Sequence, residues 1–216
     1  DAIDSKRIMS FVVIALVPAL LFGMYNVGYQ HYTAAGLMDS ASFIEVFGYG
    51  FLAVLPKILV SYIVGLGIEF IIAQLKNEEI QEGFLVSGML IPMIVPVNCP
   101  LWILAVATAF AVIFAKEVFG GTGMNVFNVA LIARAFLFFA YPTQMSGDTV
   151  WVATESIFGL GADLPDGFTA ATALGHAATV GVPEFSMDMV WGFIPGSIGE
   201  TSVIAIALGA ILLLWS

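Results

Sequence analysis

The chain has 216 residues, of which 60% are hydrophobic and only 10% are charged. Soluble domains contain about 45–50% apolar and about 25% charged residues, so this composition excludes an ordinary soluble enzyme and a disordered segment. Six basic residues stand against sixteen acidic ones, a net charge of −10, which excludes a basic surface for nucleic acid. The mean hydropathy of +1.02 indicates an integral membrane protein.

Long apolar runs predict about five to six transmembrane segments, because one spanning helix needs roughly 20 apolar residues. In chain order, the predicted helices cover residues 8–28, 51–75, 84–97, 101–115, 127–141 and a last helix that begins near Thr201. We therefore predict an all-α fold, that of a polytopic helical membrane protein. Short, interrupted apolar segments are typical of transporters built from inverted repeats, so we expect one half of an inverted or internal repeat.

The segments 84–97 and 101–115 are both short for a full span, and Asn98-Cys99-Pro100 separates them. Two interpretations stay open, namely two tilted spans or a broken, re-entrant helix. Irregular backbone of the second kind is tolerated at membrane depth only where protein buries it or where it lines a cavity. Because the sequence starts at Asp1 and stops inside an apolar run, we expect a fragment of a longer protein.

Basic residues predict the orientation, because Lys and Arg accumulate in cytoplasmic loops. Four of them fall on the same side of the predicted helices: Lys6, Arg7, Lys76 and Lys116. The opposite, outward side receives a long acidic segment that contains Asp148, Glu155, Asp163, Asp166, Glu184, Asp188 and Glu200. We therefore divide the chain into a transmembrane region of residues 1–141, an extracytoplasmic loop of residues 142–200 and the start of a further transmembrane helix, residues 201–216.

Two lysines mark the ends of the second predicted helix. Lys57 and Lys76 are nineteen positions apart, or about 28 Å of helix, which matches one hydrocarbon thickness. We predict that both side chains extend to opposite membrane interfaces and act as anchors.

Glu69 lies in the same helix, seven residues before Lys76. A carboxylate at that depth costs a few kcal/mol unless it is paired, hydrated or protonated. Two interpretations stay open: contact with an ion, a proton or a quinone headgroup, and a salt bridge between helices. Gly65 and Gly67 permit either close helix packing or the approach of a flat ring.

Other polar features are less specific. Arg134 lies inside the segment 127–141, where its planar guanidinium suits a phosphate or a buried carboxylate. The glycine-rich turn of residues 120–125 precedes a helix and suits an anion, but it lacks the lysine of a nucleotide-hydrolysing loop. Cys99 is the single cysteine, and His31 and His176 are far apart, so no Fe–S cluster or other metal site is predicted.

One long run is far more specific than these features. Residues 116–148 read KEVFGGTGMNVFNVALIARAFLFFAYPTQMSGD. This run closely resembles the B subunit of the Na⁺-translocating NADH:quinone oxidoreductases, and shorter matches begin at Arg7, Gly23 and Ile194. The likeness covers nearly the whole chain and corresponds to roughly the first half of the family sequence after its N-terminal arm. The D subunit of the Rnf complexes shares the architecture but matches residues 116–148 less well.

The resemblance implies a covalent flavin. In this family a flavin transferase attaches FMN through a phosphoester to the last threonine of Asp-x-x-Ser/Thr-Gly/Ala-Ala-Thr. Asp166, Thr169, Ala171 and Thr172 fill this pattern, so the resemblance makes Thr172 the attachment residue. The family's quinone region matches at Gly65 and Glu69, whereas Leu66 replaces a family glycine. Family members also hold riboflavin, for which no residue is assigned here, and no residue receives a catalytic or metal-binding role.

The implied function is that of a membrane subunit in a redox-driven sodium pump of the bacterial inner membrane. Electrons from NADH would enter through other subunits, reach FMN on Thr172, and pass through further flavin to ubiquinone while Na⁺ moves outward. The expected partners are the other subunits of the complex, the flavin transferase and the lipid bilayer. Two alternatives stay open: a component like the D subunit of an Rnf ferredoxin:NAD oxidoreductase, and a transporter without a redox cofactor.

Overall fold

The computed structural model describes residues 2–77, 83–165, 168–181 and 185–215, with side chains from Arg7 onward. Its α-helices are, in chain order, α1 (Ala2–Ala34), α2 (Phe43–Lys76), α3 (Phe84–Met93), α4 (Leu101–Ala111), α5 (Val129–Ala140), α6 (Pro142–Met145), α7 (Ala173–Val180), α8 (Asp188–Trp191) and α9 (Val203–Trp215). A π-helical turn (Val112–Lys116) and a 3₁₀ turn (Glu117–Phe119) extend α4. The predicted all-α, polytopic membrane fold is confirmed.

Three helical stretches among the described residues are long and apolar enough to cross a membrane: Arg7–Ala34, Phe43–Lys76 and Leu101–Phe119. The apolar helices α3, α5 and α9 are shorter, with 10, 12 and 13 residues. At 1.5 Å per residue, these three cover about 15–20 Å, less than the hydrocarbon thickness of about 30 Å. The apolar segments of the sequence therefore all contain helices, but half of those helices are too short to span alone.

Irregular backbone follows α3, because Pro96 cannot donate a helical hydrogen bond and disfavours helix at Val95. This backbone is buried, and Val95 is completely inaccessible to solvent. Its carbonyls are satisfied by a second irregular segment: Gly199 N–H donates to Met93 O (2.8 Å) and Ile198 N–H donates to Val95 O (3.4 Å). The first of the two interrupted segments is thus a broken helix covered by protein, as the second interpretation required.

Glycines bring the long helices into backbone contact. A Cβ atom added to Gly50 in α2 would lie 1.6 Å from Met24 O in α1, and one added to Gly28 would lie 1.9 Å from Val46 O. The same kind of contact joins α9 to α1, where a Cβ on Gly209 would lie 2.2 Å from Ala15 O. Small residues at helix crossings allow this close packing inside a membrane.

The segment 142–200 is held against the C-terminal end of α1 and the N-terminal end of α2. His31 stacks on Tyr49 with ring centroids 4.0 Å apart, and Tyr49 Oη donates to Glu155 O at 2.6 Å. His31 Nδ1 lies 2.7 Å from Ala153 O, and His31 Nε2 accepts from Ala162 N–H at 3.2 Å, which fixes the tautomer that carries hydrogen on Nδ1.

Asn98, in the turn between α3 and α4, also binds this segment, because its side-chain amide donates to Thr149 O (2.9 Å) and Val152 O (2.8 Å). At the opposite end of α2, Lys76 Nζ lies 3.4 Å from Glu117 Oε2, after α4. The contacts thus place the α3–α4 turn and the acidic segment at one end of the bundle and Lys76 with Lys116 at the other. Asp166 and Glu184 of the acidic segment lie outside the described residues.

Substitution of Gly50 by alanine should destabilise the protein by about 1–3 kcal/mol, because the added methyl group forces α1 and α2 apart. Thermal unfolding of the purified protein, followed by tryptophan fluorescence, measures this loss. Gly67→Ala in the same helix is the matched control, since a Cβ there has no neighbour within 4 Å among the described atoms. It should leave stability unchanged or raise it by up to about 1 kcal/mol. Equal effects of the two substitutions would contradict the packing argument.

Candidate functional sites

Glu69 and Lys116 form a buried ion pair between α2 and the end of α4. Both side chains are 4% exposed, and Lys116 Nζ donates to Glu69 Oε1. Lys116 is the last residue of the π-helical turn, which changes the direction of the side chain relative to a continuous α-helix. Of the two interpretations of Glu69, the structure shows the salt bridge. The second carboxylate oxygen, Oε2, is buried and has no hydrogen-bond partner among the described groups.

Gly65 lies one turn before Glu69 on the buried face of α2. The ring of Phe84, which is completely buried, packs directly against it: a Cβ on Gly65 would lie 1.9 Å from Phe84 Cζ. A second flat ring could therefore contact Gly65 only after Phe84 moves. Gly67, in contrast, faces away from the protein.

Thr172 is the N-cap residue of α7. Its Oγ accepts a hydrogen bond from Gly175 N–H at 3.1 Å, and its side chain is half-buried. Ala170, two residues earlier, donates its N–H to Asp148 O at 2.7 Å. The hydroxyl thus stands at the start of a helix, where free backbone N–H groups favour a negatively charged group.

The structure describes only part of the sequence pattern that the resemblance links to flavin attachment. Thr169 and Ala171 are exposed on the same segment as Thr172. Asp166 lies outside the described residues. The described motif residues that precede Thr172 are therefore exposed to solvent.

A cleft opens between α2, the α3–α4 turn and the acidic segment, and we name it the outer cleft. It consists of two adjoining hollows of about 600 Å³ and about 680 Å³ that share Asn98, Thr149, Thr154 and Glu155. The larger hollow reaches Lys57 and Cys99, and the smaller one reaches Asp163 and Phe168. No simple sequence pattern predicts this cleft, because its walls come from segments far apart in the chain.

Lys57 lines the larger hollow and is only 6% exposed. The prediction that Lys57 extends to the membrane interface is therefore wrong. The residue belongs to the buried row of α2 that recurs every four positions through Ser61 and Gly65, so its side chain faces the protein. Lys76 is 38% exposed, as expected for an anchor.

Asp163 stands at the rim of the outer cleft as an ionised carboxylate. Ser156 N–H donates to Asp163 Oδ1 at 2.8 Å, and this bond, together with one from the Ser156 side chain, holds the pKa of the carboxyl below its usual range. The rim also carries the exposed side chain of Glu155. The mouth of the cleft is therefore negatively charged at neutral pH.

Arg134 binds a carboxylate, but not the buried one that the sequence predicted, because the Glu200 side chain is 45% exposed. Its Nη1 donates to both oxygens of Glu200, at 2.9 Å and 2.8 Å, and both side chains are partly exposed. Four N–H groups of the glycine-rich turn already have local acceptors: those of Gly120 and Gly121 donate to backbone carbonyls just before the turn, and those of Gly123 and Met124 donate to acceptors inside it.

Comparison with known proteins agrees with the architecture. The family described as NQR2, RnfD, RnfE matches residues 1–216. The chain belongs to this family. A relative from Chromohalobacter salexigens is 42% identical over 238 residues, which cover 99% of this chain and 55% of the relative. That relative is named as the B subunit of a Na(+)-translocating NADH-quinone reductase.

Two further relatives carry the same name. One from Pseudoalteromonas atlantica is 39% identical over 242 residues, which cover 100% of this chain and 57% of the relative. One from Klebsiella pneumoniae is 39% identical over 252 residues, with coverage of 100% and 58%. The chain thus spans a little over half the length of these relatives. The resemblance inferred from the sequence is confirmed.

Removal of one partner of the Glu69–Lys116 pair should destabilise the protein by about 3–5 kcal/mol, because the remaining charge stays buried and unpaired. We expect Glu69→Gln and Lys116→Met to show this loss in thermal unfolding, and the double variant to recover much of it.

The matched control is Lys76→Met, which breaks the more exposed Lys76–Glu117 pair and should cost less than about 1 kcal/mol. Strictly additive losses in the double variant would argue against a direct interaction between Glu69 and Lys116.

Proposed function

We propose that the chain is part of a membrane subunit of a redox-driven sodium pump, which passes electrons from NADH through covalently bound FMN to ubiquinone. The observation that carries the proposal is Thr172, which fills the acceptor position of the flavin motif and stands half-exposed at the start of α7. The relatives named as NADH-quinone reductase subunits, matched over the full chain, support the same reaction class.

The surroundings of Thr172 fit a phosphoester. The hydroxyl oxygen is reachable from outside, and it accepts only one hydrogen bond among the described groups, from Gly175. The first backbone N–H groups of α7 would stabilise the charge of the phosphate. When bound, FMN supplies the electron-transfer chemistry, while the chain tethers it and sets its surroundings.

The proposed assembly needs partners that this chain does not include. Other subunits would deliver electrons from NADH, a flavin transferase would attach FMN, and riboflavin would serve as a further carrier. The proposed location is the bacterial inner membrane, where transfer of one charge against 100 mV requires about 2.3 kcal/mol. Redox energy must therefore be coupled to an ion path, and Na⁺ is the transported ion of the proposal.

For the quinone we propose contact with Gly65 and Glu69, near the end of α2 opposite the outer cleft. This contact requires that the Phe84 ring swing away from Gly65, because the two are now in direct contact. Glu69 Oε2 is the buried acceptor that a quinone or its proton would approach.

The alternative within the family is an Rnf-type subunit, since the family description includes RnfD and RnfE. The electron donor separates the two: an Rnf-type complex exchanges electrons between ferredoxin and NAD, whereas the proposed pump oxidises NADH and reduces quinone. A transporter without a redox cofactor is the other alternative, and the flavin experiment below tests it.

Thr172→Ala and Thr172→Asn should both abolish covalent flavin, whereas wild-type protein from a host with the transferase should carry FMN on the Thr172 peptide. Asparagine keeps an N-cap acceptor for α7, so loss of flavin in Thr172→Asn reports the missing hydroxyl rather than a frayed helix. In-gel flavin fluorescence and peptide mass spectrometry measure the attachment.

The matched control is Thr179→Ala, in the same helix, which should retain flavin in full. Absence of FMN from the wild-type Thr172 peptide under these conditions would falsify the redox proposal for this chain.

Glu69→Gln in the assembled complex should raise the KM for ubiquinone several-fold if Glu69 contacts the quinone. Glutamine keeps the shape of the side chain but removes its charge. Steady-state quinone reduction, measured at several Na⁺ concentrations, gives the result, and Lys116→Met controls for loss of the ion pair alone. If the KM and the Na⁺ dependence in Glu69→Gln stay at wild-type values, Glu69 has only its structural role.

A further inference from the structure

Lys57 has an unusual position for a lysine of a membrane helix. The residue is 6% exposed, lines the larger hollow of the outer cleft, and forms no ion pair with any carboxylate of the described residues. Burial of an unpaired ammonium group costs several kcal/mol. A cation of this kind in the wall of a cavity favours an anionic group as the occupant of that cavity.

We propose that the outer cleft holds the ring of the flavin attached to Thr172, and that Lys57 stabilises the negative charge of that ring in its reduced state. This inference rests on the proposed function, since it requires FMN at Thr172. It adds the position of the ring and the residue that adjusts its redox potential.

The backbone connects Thr172 to the cleft. Ala170 N–H donates to Asp148 O, and Thr149, the next residue, lines both hollows. Phe168, four residues before Thr172, lines the smaller hollow. The chain on the N-terminal side of Thr172 thus contacts and lines the cleft, so a group tethered at Thr172 starts close to it.

The walls of the cleft suit a flat ring with polar edges. Pro56, Val97 and Leu101 present apolar surface, while Thr149 contributes a hydroxyl. The Asn98 side-chain amide is already bound to backbone carbonyls and keeps the wall rigid. Among the described residues, Lys57 is the one basic residue that lines these two hollows.

Charge at the rim favours a tethered anion over a free one. Glu155 and Asp163 stand at the mouth, and the whole chain carries a net charge of −10, so dissolved phosphate or a lipid headgroup is repelled. A covalent tether overcomes this repulsion, because it gives the ring a high effective concentration beside the cleft.

The charge balance explains what Lys57 does. A flavin that accepts two electrons and one proton gains one negative charge, and the electrons come from NADH through the partner subunits. A nearby ammonium group stabilises that charge and so raises the midpoint potential of the bound flavin. Charges near the ring are among the ways by which proteins adjust flavin potentials.

The first test is a redox titration of the Thr172-bound flavin in the assembled complex. Lys57→Met should reduce the equilibrium constant for reduction at least tenfold, a shift of about 30 mV to more negative potential for a two-electron couple. Lys57→Arg keeps the charge and should stay closer to wild type. Lys76→Met, which removes the other lysine of α2, is the matched control and should leave the potential unchanged.

The second test uses wild-type Lys57 and does not depend on folding of a Lys57 variant. Reductive methylation of the complex, read by peptide mass spectrometry, should modify Lys57 several-fold more slowly in flavin-loaded protein than in Thr172→Asn protein. If Lys57 is modified equally slowly in both proteins, another group, such as a lipid phosphate, covers it. If Lys57 is modified equally fast in both proteins, nothing covers it. Either result overturns the inference.

The two proposals fail in different ways. If the Thr172 peptide carries FMN but Lys57→Met leaves its potential unchanged, the position of the ring is wrong and the proposed function stands. If the Thr172 peptide carries no FMN, both the proposed function and this inference are overturned.

Discussion

The structure depends on one constraint: a polar group inside hydrocarbon must find its partner within the protein. The irregular backbone after α3 meets this constraint through hydrogen bonds from Ile198 and Gly199, which lie far along the chain in the segment before α9. That pairing fixes where the acidic segment starts its return to the membrane. Together with the contacts of His31 and Asn98, it builds the walls of the outer cleft.

The same constraint applies to the charged side chains. Lys76, Lys116 and Arg134 each bind a carboxylate among the described residues. The shared feature of these pairs is that each joins segments distant in sequence, so they stabilise the arrangement of the helices as well as the charges. Lys57 is buried as deeply as residues of the core and lacks such a carboxylate among the described residues. This contrast is the physical reason to assign Lys57 a ligand rather than an anchoring role.

Helix α2 connects the two candidate sites. Lys57 faces the outer cleft, and Glu69 faces Lys116 near the opposite end, twelve residues or about 18 Å further along the helix. Both residues lie on one buried face, with Ser61 and Gly65 between them. An arrangement of this kind suits a proposed carrier near one membrane surface and a proposed quinone contact near the other, held at a fixed separation by a continuous helix.

Much of the fold could be predicted from the sequence, because length and hydropathy determine which segments can become membrane helices. The family could also be predicted from residues 116–148, and residues 166–172 suggested the proposed flavin attachment. The sequence did not identify the partner of Glu69, and the predicted position of Lys57 at the membrane interface was wrong. Hydropathy records how apolar a segment is but not which face of α2 meets a neighbour, and the π-helical turn that directs Lys116 toward Glu69 has no simple sequence signal.

The sequence by itself determined the all-helical membrane class and singled out Thr172 for the proposed flavin attachment, because both depend on local composition and order. Only the tertiary structure decided that α3 is a broken helix, that Glu69 is paired, and that Lys57 lines a cleft. Each of these depends on contacts between segments far apart in the chain, which local patterns do not record.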